Sequence, residues 1–111
     1  MKKIVKYNKL IRDKIPEIIK NDGWIPILKT LNKKEFLIAL QKKVAEEAGE
    51  LIKAKNRKGI SEEIVDIQEI LDAITSEIGS TKSEIKNQQK IKNKKRGAFK
   101  KRLFLIREEK Q

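Results

Sequence analysis

Three observations predict a mainly α-helical fold: two adjoining stretches whose apolar residues return every three or four positions, a short polar connection between them, and cap-forming side chains ahead of helical runs. In the first stretch Leu37, Leu40, Val44, Ala48 and Leu51 follow steps of 3, 4, 4 and 3. In the second, Ile60, Ile64, Ile67, Leu71, Ile74 and Ile78 alternate steps of 4 and 3, the seam of two helices lying side by side. The expected helices run from about Lys33 to Asn56 and from Ser61, or already from Ile60, to about Ile78. Asn56 and Gly59 in NRKG mark the end of the first. A connection this short makes the two helices antiparallel neighbours.

The rest of the chain is read around that hairpin. Leu10, Ile11, Ile15, Ile18 and Ile19 recur at helical spacing, with Asn8 as a candidate cap. Pro16 ends or kinks a helix, so a short helix over about 9 to 14 and a turn or second helical piece to about 20 are expected. Asn21-Asp22-Gly23 is a turn signal. An extended segment is expected near 24–31, where Pro26 argues against a central strand. Asn32 or Thr30 caps the next helix. Ser80 or Thr81, with Glu84 three residues beyond Thr81, predicts a third helix to about Asn93. Its apolar content is thin, Ile85 and Ile91. Arg96-Gly97-Ala98-Phe99 breaks it, and a second short extended segment is expected near 103–106. No repeat or low-complexity linker divides residues 1–111, which are read as a single domain.

Composition removes several chemistries. The 111 residues contain no cysteine and no histidine, so disulfides, thiolate ligands and the commonest general base and zinc ligand are all absent. Carboxylates, amines and hydroxyls are left to do any catalysis. Nowhere do about 20 uncharged apolar residues follow one another, and no apolar run of signal-peptide length follows the basic start, so a soluble, cytoplasmic protein with no membrane partner is expected. A chain this small is helped by a second copy in burying its core, and a homo-oligomer is expected.

The net charge is +12, unevenly spread. Residues 1–45 hold 12 basic and 4 acidic side chains, residues 46–80 hold 4 and 9, and residues 81–111 hold 12 and 3. An acidic island between basic flanks suits a small phosphate-bearing ligand held on a metal. Within the island, Glu47 and Glu50 are three apart, as are Glu63 and Asp66, so each pair shares one side of its helix. Taking 100° per residue, Glu47 and Glu63 lie about 60° from their apolar stripes and Glu50 and Asp66 about 120°. Both pairs therefore flank the seam, while Glu46, Glu62, Glu69 and Asp72 point further out. Four facing carboxylates repel one another unless they are protonated or neutralised by a compact cation. Mg²⁺, with Mn²⁺ as the alternative, is the expected guest, because it takes oxygen ligands and leaves positions for water and phosphates. For any one acidic pair a solvated helix face is the ordinary reading; two pairs on adjoining shoulders shift the balance.

Glu46-Glu47-x-x-Glu50, followed after twelve residues by Glu63-x-x-Asp66, resembles the signature of the MazG-like, all-α nucleoside triphosphate pyrophosphohydrolases, which include phosphoribosyl-ATP pyrophosphohydrolase. YNKLIRDKIPEII at 7–19 and KKRGAFKKRLFL at 94–105 resemble the opening and closing segments of a house-cleaning branch of that family. The resemblance implies an all-α helical bundle completed by assembly into homodimers or homotetramers. It implies magnesium-dependent hydrolysis of nucleoside triphosphates, modified or damaged ones included, between the α- and β-phosphates to a nucleoside monophosphate and pyrophosphate. Carried over position by position, Glu47, Glu50, Glu63 and Asp66 match the metal ligands. Glu46 matches a further motif acid that orients or activates water, and Glu46 and Glu47 are the candidate catalytic acids. Asn8, Lys9, Arg12, Lys14 and Arg96 are candidates for contacting substrate or another subunit. Lys43, one turn before Glu47, either reaches phosphate or pairs with it. Phe99 or Trp24 is read as core in preference to a stacking platform for a base. After Asp66 the chain reads Ile67-Gln68-Glu69-Ile70, without the histidine often found there in phosphoribosyl-ATP pyrophosphohydrolases, so a sanitation role is expected over histidine biosynthesis. The alternative is a basic helical nucleic-acid-binding or adaptor protein without catalysis. It is disfavoured because aromatic residues are sparse among the lysines.

Overall fold

The computed structural model describes residues 2–111, and it is all-helical: α1 (Ile15–Asn21), α2 (Lys33–Lys53), α3 (Arg57–Glu77) and α4 (Lys82–Arg96). The chain forms two compact units, one up to Gly79 and the other from Ser80 onward. Among the described residues no strand forms, so the segments near 24–31 and 103–106 pair with nothing as β-structure.

In the first unit, α1 begins where a helix was expected to end. Pro16 lies in its first turn, where a missing N–H costs nothing because those donors have no intrahelical acceptor. Residues 9–14 are accordingly not helical. Asn8 caps no helix and instead takes a left-handed conformation with φ 46°. Gly23, with φ 86°, donates its N–H to the Lys20 carbonyl at 3.0 Å and closes α1.

Asn32 opens α2 with a reciprocal cap, its side chain accepting from the Glu35 N–H at 2.9 Å while the Glu35 carboxylate accepts from the Asn32 N–H at 3.3 Å. The helix stops at Lys53, short of the expected Asn56, and α3 starts at Arg57, ahead of Ser61. Asn56 is the reason. It caps α3 by accepting the Gly59 N–H at 2.8 Å, so it begins the second helix and does not finish the first. Gly59 suits that tight start, since a Cβ there would stand 3.3 Å from Asn56 Oδ1.

Only Ala54, Lys55 and Asn56 separate α2 from α3, which pack on one another as an antiparallel pair. Leu40 is buried, and Leu37, Val44, Ala48 and Leu51 are half-covered. On α3 the half-covered apolar residues include Ile67, Ile70, Ala73 and Ile74, whereas Ile60, Ile64, Leu71 and Ile78 from the expected seam are exposed. The packed face of α3 is thus turned toward Ile70, and Glu63, four residues before Ile67, falls in line with it.

In the second unit, Thr81 caps α4 by accepting from the Glu84 N–H at 3.1 Å, and Ser80 Oγ donates to Glu84 Oε2 at 2.8 Å. The helix runs past Asn93 to Arg96 before Gly97, whose φ is 82°. All of its residues are exposed, as is Phe99, so Phe99 forms no part of a core. No helix among the described residues is long and apolar enough to cross a membrane.

Candidate metal centre on the helical hairpin

Glu47 lies six residues before the end of α2 and Glu63 six residues after the start of α3. At 1.5 Å per residue each stands about 9 Å from the connection, so antiparallel packing brings the two to the same level. Rotation brings them face to face. Glu47 is seven residues, nearly two turns, beyond buried Leu40, and Glu63 shares the face of Ile67, Ile70 and Ile74. Both are therefore half-buried members of the interhelical surface, where the seam read from apolar spacing put them on its shoulders.

One carboxylate oxygen from each of Glu47, Glu63 and Asp66 lies within 4.8 Å of the other two. Glu63 Oε2 is shut off from water and meets no hydrogen-bond donor. Its carboxyl is pushed up to about 7, first by a side-chain hydrogen bond with Glu47 that favours the protonated form of Glu63, then by burial, then by the charges of Glu47, Asp66 and Glu50. Three clustered carboxylates, one of which also carries an oxygen without a partner, match what a hard divalent cation requires.

The remaining acids lie outside this trio. Glu50 is exposed, 3.9 Å from Lys53 Nζ, yet close enough to raise Glu63. Glu46 is also exposed and pairs with Lys43 at 3.1 Å. Lys43 was read as reaching phosphate or pairing with Glu47; its partner is Glu46, one residue earlier on the helix.

Among the basic candidates, Arg12 reaches the trio: its Nη2 donates to Asp66 Oδ1 at 2.8 Å. Lys9 instead lies over the Tyr7 ring, 5.2 Å from its centroid. Lys14 precedes α1, and Arg96 ends α4 in the second unit. The Arg12–Asp66 partnership spans 54 residues, and only the charge asymmetry of the chain hinted at such a pairing.

No family model and no solved structure matches the chain. A stretch of 48 residues, 43% of the chain, is 44% identical to an uncharacterized protein of Mycolicibacterium smegmatis. The match covers 49% of that relative, so the chain spans about half the length of the protein it resembles.

Proposed function

We propose that this protein is a Mg²⁺-dependent nucleoside triphosphate pyrophosphohydrolase, in which water and a nucleoside triphosphate give a nucleoside monophosphate, pyrophosphate and a proton. The observation that carries this reading is the meeting of Glu47, Glu63 and Asp66 within 4.8 Å, on two helices whose remaining covered residues are largely apolar. These three would hold the cation, with Glu50 at the edge as the fourth carboxylate. The cation, when bound, offsets phosphate charge and activates water for in-line attack.

The chain's own groups have separate tasks in this scheme. Glu63, whose carboxyl is pushed up to about 7, would have to be deprotonated to hold the cation beside Glu47 and Asp66. Glu47 would serve as the acid or base of the site as well as a ligand. Glu46, tied to Lys43, supports the reaction from outside the trio. The absence of histidine and cysteine favours this chemistry over other hydrolytic mechanisms. In this reading a second copy covers Ile60, Ile64, Leu71 and Ile78, which a hairpin with one buried side chain among the described residues leaves open. The reaction is placed in the cytoplasm, where nucleotides and Mg²⁺ are plentiful.

The experiment is a panel of normal and oxidised nucleoside triphosphates incubated with Mg²⁺, with pyrophosphate as the product measured. Release from at least one nucleotide, abolished by chelation and by Glu47→Gln, is expected. No release from any of them, or turnover that survives Glu47→Gln, removes the proposal.

A further inference from the structure

Arg12 is the one cation that the described structure places against the acidic trio, and the manner of contact is informative. A guanidinium carries five N–H donors in a planar fork. Here the ion pair is single-pointed, Nη2 to Oδ1 at 2.8 Å, so the contact uses one of those donors. The Arg12 side chain is 56% exposed and Asp66 43%, so the pair is open to solvent. Its backbone is fixed close by, because the Arg12 carbonyl accepts the Ile15 N–H at 3.1 Å at the threshold of α1.

Charge points the same way. Glu47, Glu50, Glu63 and Asp66 together carry up to four negative charges, and a divalent cation offsets two. An incoming polyphosphate is repelled by what is left unless another positive group stands beside it. Lys43 and Lys53 are engaged with Glu46 and Glu50, and Lys9 lies over Tyr7. Arg12 is left.

We infer that Arg12 links the acidic trio to the phosphate chain of the substrate, holding Asp66 through one N–H and binding phosphate oxygens through the others. This rests on the pyrophosphohydrolase reading and adds to it a residue that selects for polyphosphates. Because the same side chain touches Asp66, anion binding depends on the segment ahead of α1 being in place.

The test is calorimetric, on the full chain, with Mg²⁺ titrated first and inorganic pyrophosphate then titrated into the Mg²⁺-loaded protein. Arg12→Gln keeps an N–H donor for Asp66 but removes the charge and the fork. It is expected to weaken pyrophosphate binding about ten- to a hundredfold, the loss of a charge-assisted contact, with Mg²⁺ affinity near the wild-type value. Arg12→Lys, which keeps the charge, should fall between the two. Pyrophosphate bound equally well by Arg12→Gln overturns the inference. So does a parallel loss of Mg²⁺ affinity, which would make Arg12 only a support for Asp66. Wild-type protein that takes up no Mg²⁺ fails the metal-centre reading itself, and the role of Arg12 falls with it.

Discussion

In α3, Ile67, Ile70 and Ile74 are half-covered by packing against α2, whereas every residue of α4 is exposed. The ends of the two helices differ in the opposite sense. α3 has an Asn56 cap but no acid in its first turn and no base in its last, so its backbone dipole gains nothing from side chains. α4 has the Thr81 cap, Glu84 in its first turn, and Lys94, Lys95 and Arg96 in its last. One helix draws its stability from what it covers, the other from its termini. Only the first kind can hold carboxylates in an interhelical surface, because surrounding apolar contacts offset the repulsion between Glu47 and Glu63.

The sharpest way to break this contrast is Leu40→Ala. Removing the one buried side chain among the described residues should cost about 2–5 kcal/mol in urea unfolding followed by circular dichroism. A loss well under that range would mean the hairpin is held together by something other than this packing.

Glu63→Gln tests the opposite side of the balance. Pyrophosphate release should fall about a hundredfold or more, since losing even an outer-shell partner of a metal ligand costs about 10- to 100-fold. Without a cation the same variant should melt higher than wild type at neutral pH, since the neutral amide ends the repulsion. A variant that melts lower would show that the carboxylate is not under strain.

The pH profile sharpens that point. Glu63 titrates at about 7 in the folded chain against 4.5 for an ordinary glutamate, so between those values the folded state binds more protons than the unfolded one. Cation-free stability should therefore decline as pH rises from about 4.5 to about 7, with Glu63→Gln lacking that component. Mg²⁺ must displace the proton, so its affinity should climb over the same interval. Melting curves across pH, with and without Mg²⁺, measure both trends.

On α4 the expected effects are smaller and local. Thr81→Ala should cost about 1 kcal/mol of helix stability and speed amide exchange over residues 82–86, leaving the hairpin's melting unchanged. The exposed pairing of Lys43 with Glu46 is smaller still: Lys43→Ala should change stability by less than about 1 kcal/mol.

The sequence disclosed the helices better than their limits, and the acids better than their surroundings. Thr81 was legible as a cap because Glu84 stands three residues on, whereas the choice between Asn32 and Thr30 was left to the structure, which gives Asn32 with Glu35 as its reciprocal partner. Asn56 and Gly59 were misleading because asparagine and glycine suit either end of a helix, and only the chain's path decides which. Pro16 was ambiguous for a similar reason, since proline both interrupts and initiates. The apolar spacing of α3 counted Ile60, Ile64 and Ile78, which stay exposed, and so set the packed face to one side of where it lies. Periodicity registers apolar residues alone and has no way to show a carboxylate occupying a covered position. Arg12 and Asp66 were each identifiable as charged residues of interest, but their pairing depends on how residues ahead of α1 run past α3, which no local pattern encodes.

The three-residue turn between α2 and α3 works as a ruler. Since Glu47 and Glu63 are equidistant from it, adding one residue between Asn56 and Glu63 would swing the second carboxylate about 100° around its axis and lift it about 1.5 Å out of step. Insertions should thus be tolerated beyond Ile74 and ruinous near the bend, so the hairpin's closed end is where length variation is most tightly constrained.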